Sequence, residues 1–564
     1  MDQHTTRRQP AESERPAILT QRARETFHTH REFVLVLVLF LSLRLMAILA
    51  FRPGGYLGEM GDFGFYRLLL SFTNQGFYPL VDFWMEYPPI FPWLALGLYR
   101  LSLLIPPWPV AGTWFFQLLG LILALADAGV LILLYTLARR LFTPARAVRL
   151  AWIYTALLVP LLTLFVGFDT LALFFLLWAI LLTLDGRPAA SAIAAGLGFM
   201  TKLVPIVAAP ASLMHFPRLG QRARYLLALA LILLVIALPF LLTGPDYFLQ
   251  SMVSPVKRST WESPWALIDG YYSYGIAGGP DRFDPAQSGA AQHPTRLPWT
   301  WITVSFILFY FYLWTRRVDW HDARRVVAFT ALTQNLLTLY FKGYSPQFLV
   351  MLLPFLLLLL PTWRAVLYAL LLSAVNLAEY PIYFLVLPDQ PWLLAGAVLL
   401  RTLILVVLSL EYAALVYSWR VPERWWRRVT AAVAAIVLLA GLAGILPAAR
   451  AYHQARYAAS PHRPAMETLL SAASPGAALI VDDQDTFEAV YPFLHRHLDV
   501  RSVEIASHLP PWEPRLEQAA VESGGELWIY APAASPFHTW ASGRYTPLAS
   551  HEFDGRLLAG WSVR

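Results

Sequence analysis

Residues 33–50 read FVLVLVLFLSLRLMAILA, eighteen positions with one charged side chain, Arg44. At about 1.5 Å of rise per residue, such a run approaches the thickness of a bilayer's hydrocarbon layer. A helix on a soluble core would need a polar outer face, and this one has none. The preceding residues 1–32 are polar and arginine-rich, and FRPGG follows at 51–55 with no small-residue cleavage pattern. The run therefore reads as an uncleaved first span with a cytoplasmic tail before it.

Comparable apolar runs recur at 112–138, 150–165, 169–184, 225–243, 299–315, 324–341, 347–361, 363–387, 391–418 and 429–447. The stretch 187–217 has Lys202 and Pro205 at its middle and basic residues at both ends, which predicts a two-helix hairpin turning near Lys202. The total is about 13 transmembrane helices. Residues 88–105 start on Pro-Pro, contain Pro92 and stop at Pro106-Pro107, the pattern of a helix lying at the interface. With that helix left out of the count and the N-terminus inside, the arginine clusters at 139–149, 218–224, 316–325 and 420–428 all face the cytoplasm. The same tracing puts the C-terminus outside and leaves two long outer loops, 51–111 and 244–298.

The composition agrees with a membrane protein. The 564 residues are 57% hydrophobic and 14% charged, against about 25% charged in soluble domains. The net charge of +7 is spread over short loops where it orients helices, so no nucleic-acid partner is expected. The 21 Trp suit membrane interfaces and sugar-stacking surfaces alike. With no cysteine there is neither a disulfide framework nor a thiolate metal site. From residue 448 onward hydropathy falls, and short strand-like runs at 478–481 and 527–530 alternate with helical patterns at 464–473 and 515–523. The fold class is thus an all-α polytopic membrane protein, its membrane module at 33–447, with a small extracytoplasmic α/β domain at 448–564.

Polar chemistry concentrates in the first outer loop, where Glu59, Asp62, Asp82 and Glu86 fall within thirty residues. Asp62 and Tyr66 are four positions apart, so a short helix puts them on one face, and Phe63, Phe65 and Leu69 can seat that helix on the bilayer. A carboxylate at the lip of a membrane cavity can act as a general base; the other reading is that these acids solvate a loop or cap helices. Asp169, at the outer start of a span, is either an N-cap or a second active-site carboxylate. Of 43 basic residues only Lys202, Lys257 and Lys342 are lysines, and the tracing places all three outside, where they either hold a lipid phosphate or snorkel to the interface. The second outer loop carries Lys257, Arg258, Trp261, Glu262, Trp265, Asp269, Tyr271, Tyr272 and Tyr274, a mixture suited to stacking on sugar faces or to interface packing. Within spans, Arg44, Asp127, Glu379, Arg401 and Glu411 must pair or face a cavity, and Arg44 with Asp127 is the expected structural pair. The acidic string at 482–485 reads as a solvated strand end, and no histidine has a partner at ligand spacing.

The string GDFGFY at 61–66, followed by GFYP at 76–79 and EYPP at 86–89, resembles the polyprenyl-phosphate-dependent glycosyltransferases of the GT-C superfamily, most closely the bacterial GT87-type mannosyltransferases. KLVP at 202–205 and KGYSPQ at 342–347 are similar to that branch as well. The resemblance implies an outward-facing active site with an essential Asp in the first outer loop, here Asp62. It implies transfer of a sugar, mannose by likeness, from a polyprenyl phosphate to a lipid, glycan or protein acceptor, at the outer face of a bacterial plasma membrane. Glu86 and Asp169 join Asp62 as candidate catalytic carboxylates. Lys202, Lys342, Lys257 and Arg258 are candidate phosphate contacts, and Tyr66, Tyr87, Trp261, Glu262 and Gln347 candidate substrate contacts. A leaving phosphate monoester can be stabilised by Lys and Arg, so no metal or other cofactor is expected. The competing reading is a lipid-linked sugar flippase or transporter, which would place polar groups along a mid-membrane path; here the acids gather in one outer loop.

Overall fold

The computed structural model describes residues 15–50, 62–107, 110–270, 280–289, 293–505 and 511–563. Glu59, Tyr271, Tyr272 and Tyr274 lie outside them. The chain divides into two units, Met1–Gly441 and Leu442–Arg564.

The first unit is helical throughout. It opens with α1 (Arg15–Ala50), α2 (Asp62–Ser71), α3 (Ile90–Ser102), α4 (Thr113–Leu141), α5 (Pro144–Ala156) and α6 (Leu158–Val166). α7 (Asp169–Leu184), α8 (Pro188–Thr201), α9 (Ala209–His215), α10 (Leu219–Thr243), α11 (Pro245–Lys257) and α12 (Pro264–Asp269) follow. α13 (Trp299–Thr315), α14 (Ala323–Tyr340), α15 (Leu353–Leu359), α16 (Thr362–Leu377), α17 (Pro391–Val416) and α18 (Glu423–Ala459) complete the series. Every apolar run of the sequence falls on these helices. Among the described residues six are long and apolar enough to cross a bilayer alone: 28–50 of α1, α4, α10, α16 with its continuation to Val386, α17 and α18. Five shorter apolar segments accompany them, namely α7, α8, Val204–His215, α13 and Pro346–Leu359. The protein is a polytopic helical membrane protein.

Three breaks shape the site. The expected hairpin turns at Lys202, whose backbone is extended after α8 stops at Thr201; a 3-10 turn, Val204–Ala208, then leads into α9. Gly198 permits this turn, since a Cβ there would lie 2.5 Å from the Pro205 Cβ and 2.9 Å from that of Phe175. α3 has 13 residues, about 20 Å of helix, short of the roughly 30 Å a span needs. The run 150–165 breaks at Leu157, between α5 and α6.

One large apolar core joins α1, α4, α5, α7 and α14 to α17; a second, largely aromatic, joins α2 and α3 to the first turns of α4. α10 and α13 bury little or nothing of themselves, as lipid-facing helices do. Charges inside the first core are paired. Arg44 Nε donates to Asp127 at 2.6 Å, Tyr154 donates to the same carboxylate at 2.7 Å, and the Arg44 guanidinium lies 3.3 Å from the Phe40 ring centre. Arg364 pairs with Glu411, and Arg401 with Glu379.

The second unit holds a five-stranded sheet in the order β2-β1-β3-β5-β4: β1 (Ala478–Val481), β2 (Asp499–Ser502), β3 (Glu526–Pro532), β4 (Thr546–Phe553) and β5 (Arg556–Ser562). β1 runs parallel to β2 and β3, while β5 is antiparallel to β3 and β4. The acidic string after β1 is structural: Asp483 caps the next helix by accepting from Thr486 N at 2.7 Å, and Arg556 binds both Asp482 and Asp483.

Replacing Asp127 by Ala strands a fully buried guanidinium, and about 3–5 kcal/mol of stability should be lost. Thermal unfolding in detergent measures this, and the double variant Arg44→Leu with Asp127→Leu is expected to recover most of the loss.

Candidate active site

α2 begins on Asp62, so the carboxylate stands in the first turn, where the helix dipole favours negative charge. The helix face expected from the four-residue spacing is present: Tyr66 donates from its hydroxyl to Asp62 Oδ2 at 3.2 Å. Gln347 Nε2 donates to the same oxygen at 3.3 Å from 285 positions away. Gln347 reaches it because Gly167 has no side chain; a Cβ there would sit 3.1 Å from the Gln347 amide. Beneath this corner Tyr66, Tyr87, Phe91 and Phe168 pack edge to face and face to face, Phe91 and Phe168 with ring centres 3.6 Å apart. Burial pushes the Asp62 carboxyl above its ordinary value and the Asp169 charge adds to the rise, while Gln347, Tyr66 and the Lys202 charge work against it.

Asp169 is the first residue of α7 and leaves the cap position to Phe168, which supplies no side-chain bond. Its carboxylate turns to the hairpin: Lys202 Nζ donates to Oδ1 at 2.6 Å, and the buried Oδ2 has no partner among the described residues. Lys202 lies between the rings of Phe168 and Phe348, 5.2 and 4.5 Å from their centres. Asp62, Tyr66, Tyr87, Asp169, Lys202 and Gln347 therefore form one cluster drawn from five separate segments.

Glu86 belongs to a second cluster alongside. Arg282 grips it with two bonds of 2.5 and 2.6 Å, and Arg258 adds a third contact at 2.8 Å. Burial alone would raise this carboxyl, but Arg258 and Arg282 hold it down at about 2. Both oxygens are engaged, so Glu86 has little capacity to take up a proton, whereas the raised Asp62 carboxyl keeps that capacity. Two guanidinium groups meet on one carboxylate, and Arg258 is the more exposed of the two. The clusters adjoin: Arg282 lies 5.0 Å from the Phe65 ring on α2, and the Tyr66 and Tyr87 hydroxyl oxygens lie 3.4 Å apart. Arg282 is the residue that sequence reasoning missed; nothing in its local pattern, DRFD at 281–284, marks it.

The remaining candidates are placed differently. Trp261 bridges to Gly343 by bonds from its N to Lys342 O at 3.1 Å and from Tyr344 N to its own O at 3.2 Å. Its ring occupies the space a Gly343 side chain would need, 2.0 Å from a Cβ there. Arg258 stacks over that ring at 5.3 Å. Glu262 is buried against Glu379 and Arg401. Lys342 and Lys257 stand apart from the carboxylates: Lys342 donates to Val256 O at 2.8 Å and faces Trp299, and Lys257 donates to Gln250 at 2.5 Å. The three lysines thus do not converge, and Lys202 alone joins the Asp62 cluster.

Solved structures similar to this chain include two from different organisms. One is the crystal structure of ArnT from Cupriavidus metallidurans bound to undecaprenyl phosphate, 16% identical over 94% of this chain and 98% of that one, with a TM-score of 0.36. The other is the Archaeoglobus fulgidus oligosaccharyltransferase in complex with Zn and sulfate, 13% identical over 93% of this chain and 73% of that one, with a TM-score of 0.28. No family model and no curated protein matches the sequence. At TM-scores below 0.5 these likenesses bear no weight, and the chemistry has to be read from the chain's own side chains.

Those side chains offer a partly shielded carboxylate, a second carboxylate with a free oxygen, and two cationic centres around one corner. Such a set can take a proton from a hydroxyl and hold an anion close by. Glu86 gives a direct check of the anion-holding half. A carboxyl held at about 2 contributes stability that is fully present above its ordinary 4.5 and is lost as pH falls through the lower value. Glu86→Gln should therefore abolish that acid dependence and, by taking the carboxylate charge away from buried Arg282, cost about 3–5 kcal/mol at neutral pH. Thermal unfolding followed across pH reads both effects.

Proposed function

We propose that this protein is a membrane glycosyltransferase that moves a sugar, mannose by the resemblance of its motifs, from a polyprenyl phosphate to a lipid, glycan or protein acceptor. The work is assigned to the outer face of a bacterial plasma membrane, with the N-terminus in the cytoplasm and the C-terminal unit outside. The observation that carries the reading is Asp62, held at the first turn of α2 beside Asp169 and Lys202, with the Glu86 cluster and its Arg258 adjoining. A transporter path needs polar groups spaced through the membrane, whereas here they close on one corner.

In this reading the acceptor hydroxyl attacks the anomeric carbon, and the bond from that carbon to the phosphate oxygen breaks as the new glycosidic bond forms. Asp62 removes the hydroxyl proton through the oxygen that Tyr66 and Gln347 leave free. The polyprenyl phosphate departs as a monoester anion, stabilised by Arg258 and by the N–H groups of Lys202 not used by Asp169. Asp169 fixes the lysine, and Glu86 with Arg282 fixes the arginine. Tyr87 and Trp261 line the approach as sugar-facing rings. Lys342 and Lys257 are assigned no phosphate here, since each is turned to a neighbouring backbone or amide oxygen.

Purified protein supplied with polyprenyl-phosphate mannose and membrane lipid extract tests the reading. Asp62→Asn should lower transfer by about 10²- to 10⁴-fold, the usual worth of a general base. Transfer untouched by that change removes the assignment, and lipid translocation without transfer hands the protein to the flippase class. Because the base works ionised, rates should fall on the acid side. Lys202→Met removes a charge that holds the Asp62 carboxyl down, so the acid limb of the rate profile should move to higher pH.

A further inference from the structure

Behind the Asp62 corner lies a buried polar group that the proposed chemistry leaves unused. Glu262, in the loop between α11 and α12, is 6% exposed, and Glu379, just past α16, is wholly buried. Their carboxyl groups meet within hydrogen-bonding reach. A single cation, Arg401 of α17, serves both residues: one guanidinium nitrogen binds the Glu379 carboxylate and another binds the Glu262 backbone oxygen. Tyr344 faces the same guanidinium with its ring, 3.6 Å from centre to carbon, and Asp62 is the next charged group felt from α2. Two facing carboxylates have only acceptors and repel unless one carries hydrogen. Glu262 Oε2 and Glu379 Oε1 are moreover both buried with no partner among the described residues. A proton between the two groups gives each atom a partner and brings the trio with Arg401 to zero net charge.

The placement of this trio gives the proton a task. Glu262 has φ of +48°, a left-handed conformation that a non-glycine residue keeps only when its surroundings enforce it. It lies directly between Trp261, which bridges to Gly343, and Ser263, whose hydroxyl donates to Lys342 O at 2.6 Å. The segment so gripped continues through Pro346, whose carbonyl accepts from Asn376 at 2.7 Å, to Gln347 on Asp62. We propose that Glu262 and Glu379 hold one proton between them, and that this shared proton seats the second outer loop so that Gln347 stays on Asp62. Glu262 is thus a positioning residue rather than a sugar contact. Burial and the Glu379 charge push the Glu262 carboxyl well above its ordinary range, with Arg401 opposing, and the direction is the one that retains the shared proton. Its loss in alkali adds one negative charge in a dry site facing Asp62 and loosens the loop.

The inference rests on the glycosyl-transfer reading for its kinetic arm alone. Infrared titration of the full chain in detergent is independent of activity. Wild type should show a protonated-carboxyl stretch at neutral pH that Glu262→Gln lacks, because the amide donates permanently in place of the proton; a band of equal size in the variant overturns the proposal. In the transfer assay the alkaline limb of wild type should move up by about one pH unit or more in Glu262→Gln, while Glu262→Ala loses about tenfold or more at neutral pH. Superimposable profiles for wild type and Glu262→Gln also overturn it. Glu379→Gln, carrying the amide on the other side, repeats both measurements should the first variant fail to fold. Absence of transfer in wild type sinks the glycosyl-transfer reading and leaves the infrared result to decide this one.

Discussion

A buried charge in this chain has to find its opposite within the protein, because lipid supplies none. That constraint organises the membrane unit from its interior to the face that carries Asp62. Arg44 and Asp127 hold α1 to α4 with Tyr154 of α5; Arg364 and Glu411 hold α16 to α17; Arg401 and Glu379 hold the far end of the same pair. At that face the ion pairs become unequal. One lysine meets two aspartates, two arginines meet one glutamate, and one arginine meets two glutamates. Imbalance of this kind is costly for a structural contact and useful for a site that must accept protons and hold an anion.

Geometry at that face comes from two loops locked to each other. Trp84 N donates to Arg282 O at 3.0 Å and Met85 N to Ser251 Oγ at 2.9 Å, so the strand-like stretch before Glu86 is pinned to the second loop along its length. Gly244 lets α11 start against the Val81 backbone, where a Cβ would lie 2.5 Å from the carbonyl oxygen. Side chains on loops are commonly held imprecisely; here packing and backbone bonds fix these two loops against each other.

Much of this was legible in the sequence. The spans followed from apolar length, the Lys202 turn from Lys and Pro inside an apolar run, and the Asp62–Tyr66 face from four-residue spacing. The Arg44–Asp127 pair followed from the cost of burying either charge alone. What stayed hidden was long-range pairing. Glu86 finds Arg282 across 196 positions and Gln347 finds Asp62 across 285, and periodicity carries no information about either. The scarcity of lysine suggested three residues with one purpose, yet only Lys202 meets a carboxylate of the cluster; Lys342 spends both its backbone carbonyl and its ammonium group on holding the second loop. Glu262 read as a candidate substrate contact among aromatics, and its pairing with Glu379 and Arg401 stayed hidden because both lie more than a hundred residues downstream.

The empty position at Gly343 fixes an alignment as well as a contact. The Trp261 indole fills the volume opposite that residue, and its neighbours on either side, Lys342 and Tyr344, both carry bulk. Sliding one chain past the other by a single step in either direction would drive a side chain into the indole. The reach between α14 and Gln347 is therefore set in whole residues: an insertion or deletion there cannot be taken up by slippage and must carry the amide away from the carboxylate it serves.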